Sequence, residues 1–286
     1  MEGTSQHRVA VVTDSTADLP REIVASHAIH VIPQILIMGD KTWQDGVDID
    51  PPAFYELLRT ASHFPSSSQP SVASFEQVFT ELSREADGIV AVLIANELSG
   101  TLNSALTAAQ NLPDLAIEIV DSRAVSMMLG FGVLAAARAA AAGKDLHTVA
   151  NAARALIGKA HVYFVVDTLE YLHRGGRIGG AARLLGSTLN LKPLLEIRDG
   201  TVCPVAKIRT RRKALERVYQ LLAERLSDGD RVHMAVLHVA APQEAAEFRE
   251  ELITRFHPVE MIETECGPVV GAHAGPGTVG VAFYAE

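Results

Sequence analysis

The chain has 286 residues, enough for two ordinary domains that each bury a core, and its 48% apolar and 21% charged content is that of an average globular protein rather than a fibre, a disordered tail or a membrane protein. A formal charge of −9 and a pI near 5.7 argue against a surface built to neutralise a nucleic-acid backbone, so any basic patch must be local. The two cysteines, Cys203 and Cys266, form no C-x-x-C pair, so neither a disulfide framework nor a cysteine-based zinc site is indicated and a reducing cytoplasm fits.

Residues 1–20 hold only the apolar run Val9 to Val12, too short for the core of a secretory signal, which again points to the cytoplasm. Arg8 to Val12 reads as a strand running into the polar turn Thr13-Asp14-Ser15-Thr16. A second apolar run spans Ile29 to Met38; Pro51-Pro52 then opens a helix that carries Phe54, Leu57 and Leu58 at helical spacing. The alternation continues with a helix near Phe75 to Arg84, a strand Ile89 to Ile94, a helix Ser99 to Gln110, a strand Ile117 to Val120, and two helices ending near Lys159. The greasiest stretch, Ala124 to Ala142, is interrupted by Ser126 and Arg138 and reads as a buried packing helix, with no stable membrane insertion. Such alternation predicts a parallel sheet covered on both faces.

Past Lys159 the order changes. Val162 to Val166 reads as a strand, helical segments reach Asn190, and strand pairs flank Asp199-Gly200. A helix from Arg211 to Leu226, a strand His233 to Val239, a helix Gln243 to Phe256 and a terminal strand Val279 to Tyr284 complete the chain. The expected fold class is therefore α/β in two domains: residues 1–159 with a parallel sheet, and residues 160–286 with a mixed or antiparallel one. The boundary lacks a Pro/Gly/Ser linker, so the domains are expected to pack closely with a ligand cleft between them.

Several catalytic and cofactor motifs fail on context. Gly275-Pro276-Gly277-Thr278-Val279-Gly280 matches the dinucleotide fingerprint, yet the six residues after it leave no room for the required helix, second strand and acidic residue. Gly143-Lys144 and Gly158-Lys159 are followed by Asp145 and Ala160 rather than the hydroxyl of a phosphate loop, so the chain itself is expected to bind no ATP. Eleven histidines show no H-E-x-x-H; His233 and His238 are five apart on a strand and face opposite sides, so no metal is expected. A G-x-S-x-G elbow is also absent from the sequence.

Two hydroxyl-rich segments carry more. Ser66-Ser67-Ser68-Gln69-Pro70-Ser71 reads as a loop before a helix, and Ser99-Gly100-Thr101 as a helix start after a strand. Ser99 suits an N-cap on propensity alone. The same segment also offers free N–H groups, the positive end of a helix dipole and two hydroxyls, which together suit a carboxylate, with Gly100 letting a ligand approach the backbone. Lys207-Ile208-Arg209-Thr210-Arg211-Arg212-Lys213 places five cations in seven residues. A solvated helix start is the ordinary explanation, but cations in a first turn oppose the dipole by about 0.3–1 kcal/mol each, so a partner anion, a phosphate or an acidic protein surface, is expected there.

In order along the chain, these segments resemble the DegV family. The landmarks are Thr13-Asp14-Ser15, Trp43-Gln44-Asp45-Gly46, Ser67-Ser68-Gln69-Pro70-Ser71, Leu98-Ser99-Gly100-Thr101 and Leu169-Glu170-Tyr171-Leu172 running into Gly175-Gly176-Arg177-Ile178-Gly179. Leu191-Lys192-Pro193, Lys207 to Arg212 and Gly271-Ala272-His273-Ala274-Gly275-Pro276-Gly277 follow. The resemblance implies a two-domain fold enclosing a long-chain fatty acid of the palmitate or oleate class in an inter-domain tunnel, with no other cofactor. It assigns ligand contacts to Ser67, Ser68, Ser99, Gly100, Thr101 and His273, with Ser67 and Ser99 on the carboxylate. It also implies a partner, a separate ATP-dependent fatty acid kinase that makes an acyl phosphate, docked by Arg209, Arg211 and Arg212, with Arg209 and His273 assisting phosphoryl transfer. Ser67 stands where the family usually has threonine, Ala95-Asn96 where it often has two serines, and Leu102 where it often has tyrosine. The alternatives are a self-sufficient hydrolase or acyltransferase using Ser99 with His273, a regulatory lipid sensor, and, against the acidic total charge, a DNA-binding protein using the 207–213 cluster.

Overall fold

The computed structural model describes residues 8–185, 191–227 and 229–286. The strands and helices, in chain order, are β1 (Val9–Asp14), α1 (Arg21–Ser26), β2 (Ile29–Ile32), β3 (Ile35–Met38), β4 (Lys41–Gln44), α2 (Pro51–Thr60), β5 (Ser66–Ser68), α3 (Val72–Leu82), β6 (Gly88–Leu93), α4 (Thr101–Asn111), β7 (Ile117–Asp121), α5 (Met127–Ala141) and α6 (Leu146–Ile157). The later elements are β8 (His161–Val165), α7 (Glu170–Arg174), β9 (Leu194–Arg198), β10 (Thr201–Ala206), α8 (Arg211–Arg225), β11 (Val232–His238), α9 (Pro242–Phe256), β12 (Glu260–Glu265), α10 (Pro268–Ala274) and β13 (Val279–Ala285).

The first four-stranded sheet runs β2-β1-β6-β7 and is parallel throughout. Its central strand β6 is buried at every position, as expected of a parallel strand covered on both faces. The apolar run 29–38 is not one strand but two, because Pro33 has no N–H to give a ladder. Gln34, beside it, turns its side chain inward: its Nε2 donates to Asp14 Oδ1 (3.1 Å) and to Thr101 Oγ1 (2.8 Å). After that break β3 joins a small antiparallel sheet of order β4-β3-β5.

A six-stranded mixed sheet is built from the later residues in the order β10-β9-β8-β13-β11-β12, antiparallel except for β11 beside β12. Asp199 and Gly200, both at positive φ (52° and 78°), close the β9–β10 hairpin with the two-residue turn their types favour. His233 and His238 do face opposite sides of β11: His233 stacks on Tyr284 and bonds Glu260 through Nδ1 (2.8 Å), while His238 faces the turn at Ala241. Among the described residues no group of three or more His, Cys, Asp or Glu side chains is placed to hold a metal. Of the helical reading to Asn190, residues 170–174 form α7 and residues 179–184 a 3-10 turn; 186–190 lie outside the described residues.

One apolar core joins the two large sheets through α5, whose buried face includes Met127, Phe131 and Leu134; it reaches from Val90 and Val92 on β6 to Phe164, Leu237 and Tyr284. A second core lies between the six-stranded sheet and helices α8 and α9, around Val236, Tyr219 and Phe248. Helix α5 is buried among protein rather than lipid, and no helix among the described residues is long and apolar enough to cross a membrane.

Candidate ligand site

The segment 66–68 is a strand, not a loop, and its pairing fixes which hydroxyl matters. Ser67 lies opposite Leu36 on β3, so strand alternation turns Ser67 inward and sends Ser66 and Ser68 to the exposed side. Ser68 therefore does not line the site. The N-terminus of α4 also differs from expectation: its N-cap is Gly100, with no side-chain cap bond, and helix geometry begins at Thr101. Ser99 instead bonds Thr101 Oγ1 (2.8 Å). Thr101 is fully buried and engaged with Ser99 and Gln34, which makes it a positioning residue for Ser99. At Gly100 a Cβ would sit 3.0 Å from the Gln69 side chain, so the glycine makes room for the 66–71 segment rather than for a ligand.

His273 enters from the far end of the sequence. Near the C-terminus of α10 it bonds Ser67 Oγ through Nε2 at 2.8 Å, across 206 positions of chain. The start of α10 is tied down by the earlier half: Asp18 Oδ1 accepts from Gly267 N (2.8 Å) and Tyr55 donates to Cys266 O (2.6 Å). Burial, with the Arg177 cation close by, pushes the His273 imidazole down to about 4. At neutral pH the ring is therefore uncharged, and its Nδ1 is buried without a hydrogen-bond partner.

Ser67, Ser99 and His273 line one cavity. Its remaining wall is largely apolar, including Ile94 just past β6, Val162, Phe164, Ile197 and Leu237 of the six-stranded sheet, and Val269 of α10. The sequence reading did not assign Arg177 to the site. This cation also lines the cavity, held by Nε to Leu98 O (3.0 Å) and Nη1 to Gly175 O (2.7 Å), immediately beside the Ser99 segment. Its signal in the sequence is an arginine set within the glycine-rich stretch Gly175 to Gly180, which can approach another backbone closely. The cavity thus has a polar end with two hydroxyls, a neutral imidazole and one guanidinium, and an apolar body.

The 207–213 cluster is divided. Arg211 turns inward, with Nε and Nη2 on Glu244 (2.8 and 2.7 Å), Nη1 on Val165 O (3.1 Å) and Nη2 also on Gly277 O (2.6 Å). Its guanidinium is committed to holding α8, α9, β8 and the 275–277 turn together, so it is no docking residue. Arg209 and Arg212 are exposed.

The family model described as uncharacterised protein, DegV family, matches residues 8–286. A DegV domain-containing protein of Streptomyces coelicolor is 38% identical over 279 residues, covering 97% of this chain and 98% of the relative. Two solved structures superpose with a TM-score of 0.91: a DegV family protein from Thermus thermophilus described for its fatty acid binding, at 34% identity, and DegV from Bacillus subtilis, described as a fatty acid binding protein, at 32%. Each comparison covers 98% of this chain and all of the other. A match of this length and identity, over the α/β architecture described above, establishes that the chain belongs to the DegV family.

Proposed function

We propose that the protein binds a long-chain fatty acid of the palmitate or oleate class in this cavity, with the carboxylate at Ser67, Ser99 and Arg177, and presents that end to a separate ATP-dependent fatty acid kinase for acyl-phosphate formation. The observation that carries the reading is a cavity that joins a polar, cationic end to an apolar body. Each buried methylene contributes about 0.8 kcal/mol, so a sixteen-carbon chain offers on the order of 10 kcal/mol before the cost of association. The hydroxyls then decide which end faces the opening. The fatty acid binding of the Thermus thermophilus and Bacillus subtilis proteins supports the ligand class. Arg209 and Arg212 remain as exposed cations for an acidic or phosphate-bearing partner, and the reading places the protein in the cytoplasm with no cofactor beyond its lipid.

Native mass spectrometry of protein purified from cells is expected to show one bound fatty acid. Protein that is empty and takes up neither palmitate nor oleate would sink the reading. A hydrogen bond to a charged carboxylate contributes about 1.5–3 kcal/mol, so Ser67→Ala is expected to weaken fatty acid binding by roughly 10- to 100-fold in a fluorescent-fatty-acid displacement assay, with thermal stability retained. Gly175→Ala tests the same end from behind: the added methyl would overlap His273 Nδ1, although the backbone there (φ −75°, ψ −8°) accepts alanine. Displacement of the ring from Ser67 is expected to cost about tenfold in affinity; unchanged affinity would remove His273 from the site.

The hydrolase alternative loses its proposed pair, since Ser99 bonds Thr101 and His273 bonds Ser67. A Ser67–His273 dyad is a poor substitute: the imidazole is a weak base at about 4 and its Nδ1 lacks the orienting acceptor that activated serines use. Turnover of acyl esters by the protein alone, abolished by Ser67→Ala, would nevertheless establish an enzyme.

A further inference from the structure

We propose that Ser126 and Cys266 form a second polar subsite in the wall of the acyl cavity, one that takes a hydroxyl or keto oxygen carried part-way along a fatty acyl chain. The inference rests on the fatty acid reading above and adds to it a class of substituted acids.

Most polar side chains lining the cavity are already engaged. Thr16 donates to Asp14, Gln34 to Asp14 and Thr101, and Thr278 to the carbonyls of Ala274 and Gly275. Ser67, Ser99, His273 and Arg177 make up the carboxylate end. Ser126 and Cys266 are left, both buried and both on the cavity wall, 3.9 Å apart between hydroxyl and sulfur and bordered behind by the Asp18 carboxyl. A hydroxyl carries one donor and two acceptor sites, more than these neighbours fill.

The backbone shows that this serine is held in place against its preference. Ser126 has φ 55° and ψ −148°, a region that glycine alone occupies readily. Its N–H bonds Thr16 O (2.7 Å), and its carbonyl accepts from Gly130 N (2.9 Å) in the first turn of α5. Behind it lies Asp18, 7% exposed, beside Ser126 and Cys266, with Oδ2 buried and without a hydrogen-bond partner. Burial pushes that carboxyl up to about 7, so the protonated acid can donate to the serine oxygen and leave the serine proton to an oxygen in the cavity.

The position fits a substituent and not the head group. Cys266 precedes the N-terminus of α10 and His273 lies near its C-terminus, seven residues on, which at 1.5 Å per residue is about 10 Å away from the carboxylate end. An oxygen reaching Ser126 is therefore one on the middle of a long chain.

The test is the dissociation constants of stearate and of a hydroxystearate with its hydroxyl near mid-chain, measured on delipidated full-length protein. The wild type is expected to bind the hydroxy acid within about threefold of stearate, or more tightly. Ser126→Ala and Ser126→Gly are each expected to shift the ratio of the two constants about tenfold against the hydroxy acid. The glycine variant relaxes the backbone, so misfolding cannot account for its result. A wild type that binds stearate and rejects the hydroxy acid, or a ratio unchanged in the variants, overturns this inference alone; binding of neither acid overturns the fatty acid reading with it.

Discussion

Asp18→Asn is expected to remove a fall in stability that the native chain undergoes between about pH 4 and pH 7. Asp18 is buried, and loss of water around the carboxylate raises it from 3.8 to about 7, with the neighbouring Asp45 charge acting in the same direction. An acid raised on folding binds its proton more tightly in the native state than in the unfolded one, so its contribution is complete below pH 3.8 and is lost as the pH climbs through 7. The rise from 3.8 to about 7 corresponds to about 4 kcal/mol. Asparagine keeps an acceptor for Gly267 N and removes the titration. Other groups face the same spot and titrate too: Asp45 is itself pushed up by burial to about 6, the Cys266 thiol and Tyr55 phenol are pushed well up, and Glu265 is raised. His273 works in the opposite sense, since an imidazole lowered to about 4 adds stability as the pH rises from 4 to 6.5. The informative quantity is therefore the difference between wild type and variant in urea unfolding across this range. That difference should grow toward neutral pH; two parallel curves would show that Asp18 carries no such burden.

The retention of a costly acid at this position follows from what it holds. Asp18 binds the start of α10 through Gly267, and its carbonyl accepts the Thr264 hydroxyl at the end of β12 (2.7 Å). Since His273 lies one and a half turns further along that helix, the polar end of the cavity is positioned by a carboxylate from the first forty residues of chain.

The parts of this arrangement that were legible in the sequence are those set by local pattern. The continuous apolar run of β6, the alanine-rich α5 and the Asp-Gly hairpin each carry their own signal. Elements whose burial depends on distant partners did not: β12, with the sequence Glu-Met-Ile-Glu-Thr-Glu, is an edge strand with charged residues on its open side, and α10 lay within what read as a glycine-rich stretch. Ser67 and Ser99 could be named as hydroxyls, and the family resemblance added His273, but only the β3–β5 pairing decides that Ser67 and not Ser68 faces inward. No sequence pattern announces a Ser67–His273 bond across 206 residues, and the glycine-rich stretch that marks Arg177 does not say that its guanidinium reaches Leu98 beside Ser99.

The cation cluster gives the second large effect. Dipole repulsion in the first turn of α8 calls for an anion, but for Arg211 that anion is Glu244, in the first turn of α9, rather than the phosphate or acidic protein surface expected from the sequence. There the glutamate is favoured by its own helix dipole while the arginine neutralises it, and the two carbonyl bonds link both helix starts to β8 and the 275–277 turn. Arg211→Ala leaves Glu244 half-buried and two carbonyls without their donor. Hydrogen bonds to charged groups contribute about 1.5–3 kcal/mol each, but the pair is partly solvated (19% and 32% exposed), so the expected loss is about 3 kcal/mol in all. In calorimetry that is a fall in Tm of roughly 5–10 °C. Arg209→Ala and Arg212→Ala, at exposed positions, should change stability by no more than about 0.5 kcal/mol. Their effect is expected instead on association with a kinase, as a slower, more salt-sensitive encounter. If all three alanine variants melted together with the wild type, Arg211 would return to the docking surface and the inward bonds would count for little.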